Sequence, residues 1–265
     1  MRWIDAGLRS SLAAALAFGL VSAARWHAAL AQQPAPQVQN PPAGTIPVPN
    51  ASTPIPPMPP PPSVPAQPRF VVVVDAAHGG ADSGAGISDH ILEKDVVLSL
   101  SVRLRSTLAS RGITVITTRE SDGDVAAPNR AGIANHAAPA ACISLHATAS
   151  GNGVHLFTSS LGQAPASRFL PWQTAQAAYS TQSLRLSSEI NSALGHAEIP
   201  VMLGRTSIQP MDSLACPAVA LEMAPLAGAG GQGRTQVADA EYQRRVIEAL
   251  AAALQQWRND WRQQP

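Results

Sequence analysis

The fold is decided by the stretch FVVVVDAAHGG at residues 70–80. Four consecutive valines are typical of a strand that is buried on both faces, as in a parallel sheet covered by helices. The strand is followed by a loop rich in glycine, which contains Gly79, Gly80, Gly84 and Gly86. In parallel sheets, functional side chains collect beyond the carboxyl ends of the strands, so we expect a site where this strand ends.

The rest of the chain alternates between helical and extended patterns. Apolar residues recur at helical spacing from Val96 to Leu108, and Gly112 is a natural helix stop. Further helices are predicted at residues 129–137, at residues 172–194 and after the capping residue Asp239. Further strands are predicted at residues 113–117, 141–145, 154–158 and 218–221. This order predicts an α/β fold, a single three-layer domain with a largely parallel, twisted sheet and helices on both faces.

Composition divides the 265 residues into three parts. Residues 1–31 carry Arg2 and Arg9 before a mostly apolar stretch and end in ALA, which predicts a signal peptide; an uncleaved anchor is the alternative. Residues 32–68 contain 15 prolines and no charged residue, which is typical of a disordered, extended linker. Residues 69–265 are long enough for one domain with a substantial core.

Charge and hydropathy exclude several classes of protein. The formal net charge is only +1, which argues against binding to nucleic acid through phosphate contacts. No run of about 18 apolar residues occurs in residues 69–265, so no membrane insertion of this part is expected.

The two cysteines leave one structural question. An oxidising compartment outside the cytoplasm permits a disulfide between Cys142 and Cys216. However, Cys142 lies four residues before His146, whereas Cys216 lies six residues before Glu222. On neighbouring parallel strands this stagger argues against pairing.

Groups that bind metals or transfer protons lie at the ends of three predicted strands. His78 follows the first strand, His146 the third and Glu222 the last, while Glu93 opens the first helix. Two imidazoles and one carboxylate form a common catalytic zinc set that leaves a position for water. A further carboxylate near that water could act as a general base. Each residue alone could instead be a satisfied structural polar group.

Six motifs, taken in order, resemble the zinc-dependent N-acetylmuramoyl-L-alanine amidases of the bacterial cell wall. They are VVVVDAAHGGADSGA (71–85), LEKDV (92–96), TRESD (118–122), NRAGIAN (129–135), ISLHA (143–147) and PAVALE (217–222). The resemblance implies that His78, Glu93 and His146 bind one Zn²⁺ and that Glu222 is the catalytic residue that exchanges protons with water and the leaving amine. The implied substrate is the amide between N-acetylmuramic acid and L-alanine in peptidoglycan. The predicted location is the periplasm or another exported compartment.

Two other functions remain open at this level. One is a catalytically inactive, amidase-like module that binds peptidoglycan or recruits an active enzyme. The other is a zinc hydrolase that cleaves a peptide bond. Retention of all four polar groups favours the amidase. The chain also departs from the family at Ala76-Ala77, where Pro-Gly is usual, and at Ala147-Thr148, where Ala-Asn is usual. The expected ligands remain in place, so these departures concern the shape of the substrate loops.

Several other residues near these motifs have two interpretations each. Asp75 could orient His78 as an acceptor, or bond to its own loop. Arg130 could bind a muramyl carboxyl group, or pair with an acid. His155 is predicted to face solvent or the rim of the cleft.

Two further segments have simple predictions. His90 is expected to be a loop residue rather than a ligand. The segment FLPW at residues 169–172 could cover the cleft or bind a protein activator.

Overall fold

Strand β1 (Val71–Ala76) lies inside a six-stranded sheet, as its run of valines predicts. The computed structural model describes residues 69–163, 169–228 and 233–262 of the chain. The predicted signal peptide (1–31) and linker (32–68) therefore lie outside the described residues. Among the described residues, no helix combines the length and the apolar character needed to cross a bilayer.

The elements follow the predicted alternation of strands and helices. The other strands are β2 (Gly86–Ser88), β3 (Ile91–Leu92), β4 (Thr114–Thr117), β5 (Ala141–Ala147), β6 (Val154–Ser159), β7 (Val201–Thr206), β8 (Ala218–Met223), β9 (Leu226–Ala227) and β10 (Arg234–Thr235). The helices are α1 (Glu93–Ser110), α2 (Ala127–His136), α3 (Ser180–His196) and α4 (Ala240–Arg262), with 3₁₀ helices at Trp172–Ala178 and Met211–Ser213.

The main sheet has the strand order β4-β1-β5-β8-β6-β7. Strands β4, β1, β5 and β8 are mutually parallel, which confirms the largely parallel sheet. Strand β6 pairs antiparallel with β8, and β7 runs parallel to β6. The sheet is therefore mixed, and its two last strands run against the other four.

Alternate residues of the strands pack into two apolar layers. Val72 and Val74 of β1 are buried in the larger layer, together with the apolar faces of α1, α3 and α4. Val73 is buried on the opposite face, with Ala131 and Ala134 of α2. Helices thus cover both faces of the sheet, and the predicted three-layer architecture is confirmed.

Helix α1 ends where the sequence predicts. Gly112 has a φ of +71°, a left-handed conformation that glycine adopts without a steric penalty. Its N–H donates to the carbonyl of Ala109, and the N–H of Ile113 donates to the carbonyl of Leu108. These two bonds form a Schellman motif, which satisfies the last carbonyls of the helix and turns the chain into β4. At the other end of the chain, Asp239 accepts the N–H of Tyr242 at 2.8 Å, as predicted for the cap of α4.

The helix predicted at residues 172–194 is wrong in its first part, which is a 3₁₀ helix followed by α3. Thr174 has non-helical angles, and the side chain of Gln176 is completely buried. The Gln176 amide donates to the carbonyl oxygens of Leu214 and Cys216 and accepts a hydrogen bond from Ser183. Tertiary hydrogen bonds therefore outweigh the helical periodicity of this segment.

No strand was predicted at β7, one of the two edge strands of the main sheet. Its residues are mostly half-buried or exposed, and it contains Gly204 and Arg205. A strand that pairs on one side only needs no continuous apolar run, so its pattern is weak.

The prediction that the two cysteines remain apart is wrong. Cys142 and Cys216 form a disulfide with a Cα–Cα distance of 6.2 Å. The register pairs Cys142 with Ala218, so Cys216 precedes strand β8 rather than beginning it. From that position it packs beside Cys142 in the apolar layer on the α2 side. The two cysteines differ by two residues in their spacing from the paired residues His146 and Glu222, and the turn before Ala218 compensates for this difference.

We expect the double variant Cys142→Ala, Cys216→Ala to lose stability. The bond closes a loop with a sequence separation of 74 residues. Its removal should lower the free energy of unfolding by about 2–4 kcal/mol. Urea denaturation of both proteins, with and without reductant, measures this loss. Reductant should lower the midpoint of the wild type and leave that of the variant unchanged. An unchanged wild-type midpoint would contradict a structural disulfide.

Candidate metal centre

The loop after β1 carries His78 in an unusual backbone conformation. His78 has a φ of +58°, which costs a residue with a side chain about 1–2 kcal/mol. We call residues 77–85 the His78 loop. Within it, the N–H of Gly79 donates to the carbonyl of Asp82 at 2.8 Å. Neither Ala76 nor Ala77 has a positive φ, so this backbone is compatible with alanine at both positions.

Two buried arginines bind the carbonyl oxygens at the start of this loop. Arg119 donates to the carbonyl of Ala76 at 2.9 Å and to that of Ala77 at 3.0 Å. Arg130 donates to the carbonyls of Ala76 and His78, both at 2.6 Å. Burial lowers the pKa of Arg119, and the neighbouring charge of Arg130 adds to this effect. Both guanidinium groups therefore hold backbone carbonyls at the point where the chain leaves the sheet.

Asp75 makes different contacts from those that the sequence suggested. It accepts hydrogen bonds from Thr118 at 2.6 Å, from Arg130 at 2.8 Å and from Ser144 at 2.9 Å. It therefore bonds neither to the imidazole of His78 nor to its own loop, because its oxygens are already occupied by buried donors. Arg130 pairs with this acid, and both side chains are buried.

Asp82 takes the place next to His78 that was considered for Asp75. Its carboxylate lies 2.8 Å from Nδ1 of His78. This hydrogen bond, followed by one from the N–H of Gly84, lowers the pKa of Asp82. An ionised acceptor on Nδ1 leaves Nε2 of His78 as the nitrogen that can bind a metal.

Glu93 lies at the start of α1, where backbone bonds from the His78 loop fix the helix. The N–H of Glu93 donates to the carbonyl of Ala85 at 2.8 Å. Its carboxylate accepts the N–H of Ala85 at 2.8 Å and the N–H of Ala147 at 3.1 Å. Burial opposes ionisation, but the hydrogen bonds from His146, Ala85 and Ala147 outweigh it and lower the pKa of Glu93. Glu93 is thus a carboxylate at neutral pH.

Three side chains converge with the geometry of a metal site. One ligand atom from each of His78, Glu93 and His146 lies within 4.8 Å of the other two. Nε2 of His78 is 3.2 Å from Glu93, and Nδ1 of His146 is 3.0 Å from it. A Cβ at Gly84 would approach Glu93 Oε2 and His78 Cδ2 to 2.7 Å, so glycine leaves room for these side chains.

The donor set fits a divalent metal such as zinc. Zinc sites in hydrolases commonly combine two imidazoles with one carboxylate. Nε2 of His146 is also buried without a hydrogen-bond partner among the described residues. A buried ring nitrogen with no partner is costly, so this cluster is incomplete as a set of protein hydrogen bonds alone.

Glu222 lies near the end of β8, directly beside the metal-competent cluster. The parallel register of β5 and β8 pairs it with His146, and the antiparallel register of β8 and β6 pairs it with His155. Its side chain is 30% exposed, so water can reach it. A cavity of about 190 Å³ is lined in part by His78, His146 and Arg130, and Glu222 is not among its lining residues.

His155 was named from the sequence but was not placed beside Glu222. It was expected to face solvent or the cleft rim, but its Nδ1 lies 2.6 Å from Glu222 Oε2. Only the antiparallel pairing of β6 with β8, which no local pattern indicates, places it opposite Glu222. His90 lies in an exposed turn outside the cluster, as expected.

Comparison with known proteins identifies relatives of this architecture. A family model described as N-acetylmuramoyl-L-alanine amidase matches residues 72–256. The germination-specific N-acetylmuramoyl-L-alanine amidase of Bacillus subtilis (strain 168) is 46% identical over 56 residues, which are 21% of this chain. These residues span only 23% of that relative's length.

Two solved structures show the same fold. The catalytic domain of CwlV, an amidase from Bacillus (Paenibacillus) polymyxa var. colistinus, has a TM-score of 0.56 and 23% identity, covering 72% of this chain and 98% of its own. The CwlD amidase of Clostridioides difficile, in complex with the GerS lipoprotein, has a TM-score of 0.55 and 20% identity, covering 72% of this chain and 100% of its own.

We expect Arg130→Met to destabilise the domain strongly. The substitution leaves the buried carboxyl group of Asp75 without its cationic partner, and breaking a buried ion pair in this way typically costs about 3–5 kcal/mol. Asp75→Asn in the same chain should restore part of this loss. Arg105→Met is the matched control, because Arg105 pairs with Glu120 at an exposed position and should cost less than about 1 kcal/mol. Equal losses in urea denaturation for Arg130→Met and Arg105→Met would contradict the buried role.

Proposed function

Because the chain belongs to the N-acetylmuramoyl-L-alanine amidase family, we propose that it hydrolyses the amide between N-acetylmuramic acid and L-alanine in peptidoglycan. The observation that carries this proposal is the convergence of His78, Glu93 and His146 beside Glu222. An inactive binding module would have no need for a complete ligand set next to a water-accessible carboxylate. The same convergence would serve a peptidase, so the substrate part of the proposal rests on the family.

The proposed cofactor is one Zn²⁺, held by His78, Glu93 and His146. When bound, zinc would supply a Lewis acid that polarises the scissile carbonyl and makes an attacking water more acidic. Asp82 would orient the ring of His78, and the N–H groups of Ala85 and Ala147 would orient the carboxylate of Glu93. These partners fix the ligands before any metal binds.

Glu222 is the proposed general base and acid. It would accept a proton from the attacking water and deliver it to the amine of L-alanine as the amide breaks. Its partial exposure and its position opposite His146 support this role. The buried pair of Asp75 and Arg130 would act indirectly, because Arg130 binds Asp75 and the carbonyl of His78 and so holds the backbone of a proposed ligand.

The proposed location is outside the cytoplasmic membrane, in the periplasm or an equivalent compartment. Peptidoglycan lies there, and residues 1–31 have the pattern of a signal peptide. The disulfide between Cys142 and Cys216 is consistent with an oxidising compartment. Residues 32–68 would then link the catalytic domain, residues 69–265, to the point where the N-terminus is held.

A protein activator is part of the proposal as a partner. Phe169 and Trp172 are exposed at 85% and 53%, which is unusual for large aromatic side chains. This exposure supports the proposal that residues 169–172 contact a protein partner. The structural neighbour CwlD is itself found with a lipoprotein.

Digestion of purified peptidoglycan tests the reaction. We expect the zinc-loaded wild type to release free stem peptides that begin with L-alanine, identified by mass. Glu222→Gln keeps the shape of the side chain and should lower kcat by about 100- to 10,000-fold. Glu222→Ala should be at least as impaired. No cleavage by the zinc-loaded wild type would favour the binding module, and cleavage within the stem peptide would favour the peptidase.

Metal analysis of purified variants tests the ligand set. The wild type should bind one zinc per chain, and His78→Ala, His146→Ala and Glu93→Ala should each lose most of it, because a zinc site with two protein ligands is weak. His90→Ala is the matched control, since His90 lies in an exposed turn of the same segment. Full zinc content in His146→Ala would contradict the proposed centre.

A further inference from the structure

His155 occupies a position that the proposed mechanism does not yet use. We infer that His155 is a positioning residue, which holds the carboxylate of Glu222 in the orientation for proton transfer. The inference rests on the proposed function, because positioning matters only if Glu222 exchanges protons with the reacting groups. It is carried by the contact of 2.6 Å between His155 Nδ1 and Glu222 Oε2.

The register of three strands places these groups in one row. His146 on β5 pairs with Glu222 on β8, and Glu222 pairs with His155 on β6. Directly paired residues on neighbouring strands project to the same face of a sheet. Glu222 therefore stands between a proposed metal ligand and His155, and the backbone hydrogen bonds of the sheet fix the spacing of all three.

The ring of His155 is confined by its surroundings. Its side chain is only 12% exposed, and it meets the ring of Phe157 edge to face at 6.4 Å. On another side lies Gly151, where an added Cβ would come within 2.4 Å of the imidazole. Arg234 donates to the carbonyl of Gly151 and holds this loop in place. A ring confined in this way can orient its partner, because it loses little freedom when the hydrogen bond forms.

The hydrogen bond from His155 gives the two carboxylate oxygens of Glu222 different roles. A neutral imidazole carries one proton, and Nδ1 must carry it to donate to an ionised carboxylate. Oε2 of Glu222 is then occupied by His155. Within the described part of the chain, Oε1 accepts no hydrogen bond, so it is the oxygen available to water. Without His155, the carboxylate could rotate and bond to solvent with either oxygen.

Kinetics of His155 variants on peptidoglycan test the inference. His155→Leu removes the donor but keeps an apolar side chain, and should lower kcat by about 10- to 100-fold, since a misplacement of about 1 Å can cost about 100-fold. KM and zinc content should change little. His155→Asn places an amide N–H near the position of Nδ1 and should recover most of the loss. His90→Leu is the control for loss of a histidine.

Two further measurements separate positioning from a structural role. In Glu222→Gln, His155→Leu should add little to the loss, because both changes act on one unit. The ¹⁵N spectrum of the His155 ring in metal-free protein should show the proton on Nδ1, and Glu222→Ala should shift the tautomer equilibrium towards Nε2. This second readout does not depend on activity.

The outcomes that overturn the inference are distinct from those that overturn the function. An active wild type with an unimpaired His155→Leu variant would overturn the inference alone. Equal losses in His155→Leu and His155→Asn, accompanied by lower zinc content or a lower unfolding midpoint, would show a structural role and would also overturn it. A zinc-loaded wild type that cleaves nothing would overturn the proposed function and the inference with it.

Discussion

The carbonyl oxygens of residues 76–78 impose the constraint on which the site depends. At this point the chain leaves the sheet while it is still buried, so these groups need donors that the strands no longer supply. Arg119 and Arg130 supply them, from the segment after β4 and from α2. The charge of Arg130 is balanced by Asp75, which two hydroxyl groups also hold. His78 can therefore keep a left-handed backbone that would be unfavourable in a free loop.

The other residues of the site are positioned relative to the His78 loop by α1 and by the strands of the sheet. The His78 loop caps α1 through its own carbonyls, which brings Glu93 back beside His78. The N–H of Ala147 then binds the same carboxylate and joins it to the end of β5. The strand register then places Glu222 of β8 opposite His146, and His155 of β6 opposite Glu222. Glu93, His146, Glu222 and His155 are thus held in elements fixed by backbone hydrogen bonds, whereas His78 depends on the side chains of Arg119 and Arg130.

The sequence predicts what depends on local pattern and misses what depends on pairing across the sheet. The valine run, the Schellman stop at Gly112 and the polar residues at strand ends are local, and the structure agrees with them. The direction of β6 is not local, so the position of His155 opposite Glu222 could not be foreseen. The disulfide was misjudged for a related reason, because the spacing along the sequence does not show how the chain turns before β8 and brings Cys216 beside Cys142. The buried Gln176 breaks a helix through partners about 40 residues away, which periodicity cannot show.

The charges around the site explain why a histidine, rather than an arginine, suits the position beside Glu222. Arg119, Arg130 and Lys94 are committed to backbone carbonyls and to Asp75 and Asp122. A guanidinium next to a carboxylate opposes its protonation through a fixed positive charge. An imidazole can instead hold the carboxylate through one hydrogen bond and add no fixed charge, so orientation is gained without opposing the proton transfer proposed for Glu222.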